Sequence, residues 1–154
     1  MKIMKIILIF FLFFLSSCGY KPMYSNDTVG DYYFKEIELI GNKTINQKLI
    51  NSGIVKEDTN IQDNKRLIIE SKLIILETSK DSEGLVKTYR SILDVSLTFI
   101  HNGNSVKKKN FSKSFSYPNK DNRFELLEYQ STVEKNLTAE IIKDIIIFLN
   151  INDS

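Results

Sequence analysis

Residues 88–117 read TYRSILDVSLTFIHNGNSVKKKNFSKSFSY. In Thr88 to His101, Tyr89, Leu93, Val95, Leu97 and Phe99 share one parity, and Arg90, Asp94, Ser96 and Thr98 share the other. Alternation with period two places the first set on one face of a strand and the second on the opposite face. Asn102-Gly103-Asn104 follows. Asn-Gly tolerates the positive φ angles of a tight hairpin turn. From Ser105 to Tyr117 the alternation returns, with Phe111, Phe115 and Tyr117 on one side and Ser112, Ser114 and Ser116 on the other. The stretch predicts an antiparallel hairpin with one buried face.

Working outward, Pro118 to Asn122 breaks the second strand, and the period then changes. Leu126, Val133, Leu137, Ile141, Ile145 and Phe148 recur at spacings of three, four or seven, which predicts one long helix from about Asp121 to Asn150. It would be about 40 Å long at 1.5 Å per residue, enough to cross a small sheet. On the N-terminal side, Arg66 to Thr78 carries apolar residues at both parities and reads as a central strand, with helix as the alternative. Glu57 to Asn64 is polar and reads as loop. Thr44 is placed to cap a short helix ending at Asn51 or Ser52, with Ile45, Leu49 and Ile50 on one side and Gly53 as its stop. Tyr32 to Ile40 reads as a first strand with an apolar face broken by Lys35. The order is strand, helix, then three strands, then helix. Neither a sheet nor a helix can bury its apolar face alone. The fold expected is therefore α+β, a two-layer sandwich with two helices on one face of a four-stranded, mostly antiparallel sheet.

The N-terminus has a different character. Lys2 and Lys5 precede an unbroken Ile, Leu and Phe run from Ile6 to Leu15, followed by Ser16, Ser17 and Cys18. That is the layout of a signal peptide, with the single cysteine at the cleavage position. The apolar run is about half of the roughly 20 residues a membrane span needs. Leu15-Ser16-Ser17-Cys18 resembles the lipobox of bacterial lipoproteins. That resemblance implies cleavage after Ser17, a diacylglycerol thioether on Cys18 and N-acylation of the new terminus. The division expected is a signal peptide at 1–17, a lipidated tether at 18–30, a single domain at 31–150 and a tail at 151–154. In the tether, Tyr20, Met23 and Tyr24 interrupt an otherwise turn-forming composition; docking on the domain and sitting at the membrane interface are both open to them.

Cleavage changes the charge argument. The chain has 21 basic and 19 acidic residues. Loss of Lys2 and Lys5 leaves 21 − 2 = 19 basic against the same 19 acidic residues. A near-neutral mature chain gives no reason to expect a nucleic-acid partner. One cysteine excludes an internal disulfide, and one histidine, His101, beside the hairpin turn makes a poor metal set. There is no glycine-rich phosphate loop, and Glu36/Glu38 and Glu125/Glu128 read as exposed faces. The expectation is a protein that is not an enzyme and holds neither metal nor cofactor beyond the acyl chains on Cys18. The one basic cluster is Lys107-Lys108-Lys109 with Lys113. Lys107, Lys109 and Lys113 share a side, and Lys108 points the other way. Lysines on an edge strand discourage aggregation, and they can also pair with phosphates.

Cys18-Gly19-Tyr20-Lys21-Pro22-Met23-Tyr24, together with Gly84, Arg90, Asp94, Val95, the Asn102-Gly103 turn, Phe111, Ser114, Phe115 and the long C-terminal helix, resembles LPS-assembly lipoproteins of the LptE type. The likeness covers the heptapeptide and roughly the last 70 residues; residues 42–65 match only as strand, helix and loop. The resemblance implies an outer-membrane, lipid-anchored protein on the periplasmic side. Such a protein plugs and assists assembly of the LPS translocon barrel, an LptD-like partner, and takes part in inserting lipopolysaccharide into the outer leaflet. Family members bind lipopolysaccharide through basic residues. No family motif fixes those positions here, so Lys107, Lys109 and Lys113 are candidates from charge alone. Two readings compete: a surface-tethered binding module for an anionic glycan or peptide, and a small periplasmic hydrolase using a carboxylate pair.

Overall fold

A computed structural model describes residues 32–152. Ser17, Cys18 and the tether of 18–30 lie outside the described residues. The elements are β1 (Tyr32–Phe34), β2 (Glu36–Gly41), α1 (Lys43–Asn51), β3 (Val55–Glu57), β4 (Lys65–Lys80), β5 (Val86–His101), β6 (Asn104–Pro118) and α2 (Arg123–Asn152).

The main sheet has the order β2-β4-β5-β6. β4, β5 and β6 form an antiparallel meander, with Leu93 opposite Leu73 on one side and Lys113 on the other. β2 joins β4 in parallel, Ile37 opposite Leu67, after the crossover through α1. This is the expected mostly antiparallel four-stranded sheet. Odd-numbered residues of β4 and β5 point to the helices. Leu67, Ile69, Leu93, Val95 and Leu97 pack in one buried cluster with Ile45 and Leu49 of α1 and Val133, Leu137, Ile141 and Ile145 of α2. The two helices share that face, and Lys48 reaches Glu134 across them at 2.6 Å.

The Asn-Gly reading holds in detail: Asn102 and Gly103 have φ of 50° and 82°, both in the left-handed region that such a two-residue turn requires. Gly53 also takes the positive φ of a helix stop, 73°, and its N–H donates to the Ile50 carbonyl at 3.0 Å.

Four expectations need correction. The first strand is two. Lys35 interrupts it, its N–H donating to the Lys65 carbonyl at 2.8 Å, and β1 pairs in parallel with β3 in a small separate sheet while β2 joins the large one. A three-residue strand is too short to show a period, which is why β3, ending at Glu57, was read in part as loop. The cap of α1 is Asn42, not Thr44: its Oδ1 accepts from the Ile45 N–H at 3.1 Å. That is the usual side-chain cap of an otherwise unpaired N–H. Finally, α2 starts at Arg123 and runs to Asn152, taking in two residues set apart as a tail.

The start of α1 is tied to β4. Gly41, at φ 91°, lies so close to Ser71 that a Cβ there would sit 2.0 Å from the Ser71 carbonyl oxygen. Buried Ser71 donates from Oγ to Asn46 Oδ1 at 2.6 Å, and Asn46 Nδ2 donates to the Ile40 carbonyl at 2.9 Å. These buried polar groups satisfy one another, as burial requires.

Candidate functional site

β6 is an edge strand, so its odd-numbered side chains stand at the margin of the helix-covered face. Lys107, Lys109 and Lys113 lie there, opposite Phe99, Leu97 and Leu93 of β5. The polar side chains of β6 are therefore divided between the two faces. Ser112, Ser114 and Ser116 belong to the open face with Lys108, and the three candidate lysines belong to the other.

Their surroundings are aromatic. The Lys107 ammonium sits 4.8 Å from the Phe148 ring centre, and that of Lys109 sits 5.8 Å from Phe148 and 5.9 Å from Phe111. A cation within about 6 Å of a ring is attracted by its quadrupole. Phe148 itself packs edge-on against Phe111 at 5.8 Å and tilts against Phe99 at 6.2 Å, and Phe99 continues to Phe34 at 6.0 Å. The row crosses the sheet and ends at Lys107 and Lys109. Lys113 is differently placed: its Nζ lies 2.8 Å from Asp144 Oδ2. The hydrogen bond to Asp144, with the added attraction of Asp144 and Glu140, raises its pKa against an opposing desolvation. The structure thus brings Lys107 and Lys109 together over one ring and commits Lys113 to α2. Alternate Cα atoms of one strand are about 7 Å apart, so the two side chains rise side by side and can present two cations to phosphate or carboxylate groups.

The start of β1 is tied to the C-terminal part of α2. Tyr32, the first described residue, donates from its hydroxyl to Asn150 Oδ1 at 3.1 Å, two residues beyond Phe148.

His101 does what a turn-side residue does. Its Nε2 is 3.1 Å from Asp63 Oδ1, and Lys65 holds the other oxygen of Asp63 at 2.7 Å. Among the described residues no group of three His, Cys, Asp or Glu side chains is placed to hold a metal ion. None of the described helices is long and apolar enough to cross a membrane.

Sequence reasoning missed two features. One is a tyrosine cluster at the start of α2. Tyr117 is buried, its hydroxyl 3.0 Å from Ser91 Oγ; it stacks on Tyr89 and tilts against Tyr129, over which Lys120 lies at 5.3 Å. Tyr89 and Tyr117 carried the strand parity, but Tyr129 fell outside the apolar helix positions used. The other is an open groove of about 590 Å³ between β2, α1 and β3, lined by Tyr33, Ile37, Leu39, Ile50 and Val55 among others. It depends on β3, which was not expected.

No protein-family model matches the chain, and no curated sequence relative matches it. Solved structures do. The fold is similar to that of the rare lipoprotein B from Shewanella oneidensis, with a TM-score of 0.58 at 13% identity, covering 77% of this chain and 96% of that one. It is similar to a minor lipoprotein from Acinetobacter baumannii, with a TM-score of 0.57 at 15% identity over 79% and 95%. A lipoprotein B from Nitrosomonas europaea gives 0.57 at 12% over 78% and 84%. At these identities the likeness is one of fold, and it spans nearly the whole of the first two domains.

Proposed function

We propose that the chain is an outer-membrane lipoprotein that plugs, and assists assembly of, the LPS translocon barrel, an LptD-like protein, and takes part in inserting lipopolysaccharide into the outer leaflet. The observation that carries the reading is the joining of a lipobox-like Leu15 to Cys18 to this two-layer domain, a fold shared with three domains described as lipoproteins. The role is non-enzymatic and needs no cofactor beyond the covalent diacylglycerol and N-acyl chain on Cys18. Two or more acyl chains make membrane anchoring effectively stable, each buried CH₂ contributing about 0.8 kcal/mol.

The geometry gives the proposal a mechanism. The open sheet face carries Arg90, Asp94, Asn110, Ser112, Ser114 and Ser116, linked by contacts such as Arg90 Nε to Ser116 Oγ at 2.9 Å. A polar, hydrogen-bonding surface suits the wet lumen of a barrel. Lys107 and Lys109 would pair with the phosphates of a membrane-embedded lipid, while Lys113 is held by Asp144.

Extraction of the lipidated chain from outer membranes in mild detergent, with mass spectrometry of proteins and lipids, tests the reading. A stoichiometric barrel protein with bound lipopolysaccharide is expected. A chain that emerges alone would sink it. In the Lys107→Glu, Lys109→Glu double variant the barrel should still co-purify, with lipopolysaccharide at least several-fold depleted; unchanged lipid would remove these lysines from the site.

A further inference from the structure

We infer that the groove between β2, α1 and β3 is a docking site for the chain's own residues 20–24, Tyr20-Lys21-Pro22-Met23-Tyr24. The groove lies where the helical layer stops short. α1 has nine residues, about 13 Å of helix, and β2 lies at the sheet edge beside it. Ile37 and Leu39 point to the helix side of the sheet, yet Leu39 is 46% exposed and Tyr33 43%. Ile50 and Val55 close the floor, and Lys56, Glu57 and Asp58 form a charged rim. Along its outer edge β2 pairs with no strand among the described residues. An open edge beside an apolar groove is a template for an extended segment.

Chain length and chemistry point to the occupant. β1 begins at Tyr32, next to Tyr33 in the groove wall. Seven residues lie between Tyr24 and Tyr32, and their eight steps give an extended reach of roughly 26–29 Å. The groove is lined from Tyr33 in β1 to Leu39 in β2, within that reach. The link, Ser25 to Asp31, is turn-forming, and the segment before it concentrates Tyr20, Met23 and Tyr24. Lys21 complements Glu57 and Asp58 on the rim. A residue before proline, as Lys21 is before Pro22, disfavours the helical region, which suits an extended occupant. A link this short gives an effective concentration in the mM range, so a contact of only about 0.1 mM intrinsic affinity would be mostly closed. With 20–24 docked, the free tether shortens to one or two residues and the domain is held close to the bilayer. That consequence, unlike the docking itself, rests on the lipobox reading.

Hydrogen exchange on the purified full mature chain in detergent tests the docking. Three chains are compared: unaltered, the triple variant Tyr20→Ser, Met23→Ser, Tyr24→Ser, and Leu39→Lys. Both altered chains keep the buried core, since the first changes lie before the domain and Leu39 is half exposed. Expected are protection of 20–24 in the unaltered chain, its loss in both variants, and about tenfold faster exchange at 33–39 and 53–58 in the triple variant. Equal exchange in all three chains would overturn the inference. So would protection that scales with protein concentration, the mark of a second copy, or protection that needs a co-purified barrel. The mass of the N-terminal peptide reports acylation separately, so failure of the anchor reading and failure of docking are told apart.

Discussion

The two faces of the central sheet are built by the same strands and behave as different materials. On the covered face Leu67, Ile69, Leu93, Val95 and Leu97 are at most 1% exposed. On the open face Arg66 reaches Glu36 at 2.7 Å and Glu38 at 3.7 Å, and Ser112 donates to Asp94 at 2.5 Å. Ile68, Ile74 and Ile92 sit half-buried among these charges, sheltered by cross-strand neighbours such as the Ile74–Ile92 pair. One residue of register separates the two sets. Stability is therefore concentrated on one parity. The other parity adds little, because exposed ion pairs each contribute only about 0–1 kcal/mol.

Removing side-chain volume sets this difference in free-energy terms. Leu93 and Ile141 are fully buried against each other's layers. Either one changed to Ala should destabilise by about 3–4 kcal/mol, the transfer term plus an unfilled cavity. Ile92→Ala, one residue over on the open face, should cost about 1 kcal/mol. Urea midpoints measure both. Equal losses would mean that the open face is itself packed core.

The next effect concerns a seam. Gly41→Ala must relieve both a left-handed φ and a 2.0 Å approach to the Ser71 carbonyl, at a cost of about 2–3 kcal/mol. Ser71→Ala keeps the backbone but leaves Asn46 Oδ1 short of the Ser71 donor, costing about 1–2 kcal/mol. If thermal melting ranks these two in reverse order, the side-chain network rather than the close approach holds α1 to β4.

The long-period features were legible in the sequence and the short ones were not. β5 and β6 are long enough for alternation to assert itself, and Asn102-Gly103 fixes their turn by backbone chemistry alone. The apolar stripe of α2 was readable because Val133, Leu137, Ile141 and Ile145 repeat at helical spacing. β1 and β3 have three residues each and exist through mutual pairing, which no local pattern encodes. Asn42 outcompeted Thr44 as a cap because the helix starts earlier, where Gly41 meets Ser71 from a strand 30 residues away. For the lysines, parity put Lys107, Lys109 and Lys113 on one side. Only the packing of α2 shows that Lys107 and Lys109 share Phe148 while Lys113 is held by Asp144.

The contrast between faces also says where acid acts. The buried polar residues are Asn46, Ser71, Ser91 and Thr138, none of them ionisable. Among the described residues, then, neither face hides a carboxylate, and protonation works from the strand ends. At the β4–β5 turn, Asp81 accepts from the Glu83 and Leu85 N–H groups at 3.0 and 2.8 Å and pairs with Lys87 at 2.9 Å. The Lys87 hydrogen bond, then those backbone donors, lowers its pKa below the ordinary 3.8. A lowered carboxyl contributes stability that is full above the unfolded pKa and lost as pH falls through the folded one. Between pH 6 and 2 the Glu83 and Leu85 amides should therefore shift and lose protection relative to their intrinsic exchange rates, with those of Leu93 and Leu97 moving later or not at all. Asp81→Asn should remove that early step, because an amide has no proton to take up in this range. Loop and core amides titrating together, in the parent chain, would show that the turn is part of the cooperative core and that the division between stable and open surfaces does not extend to the strand ends.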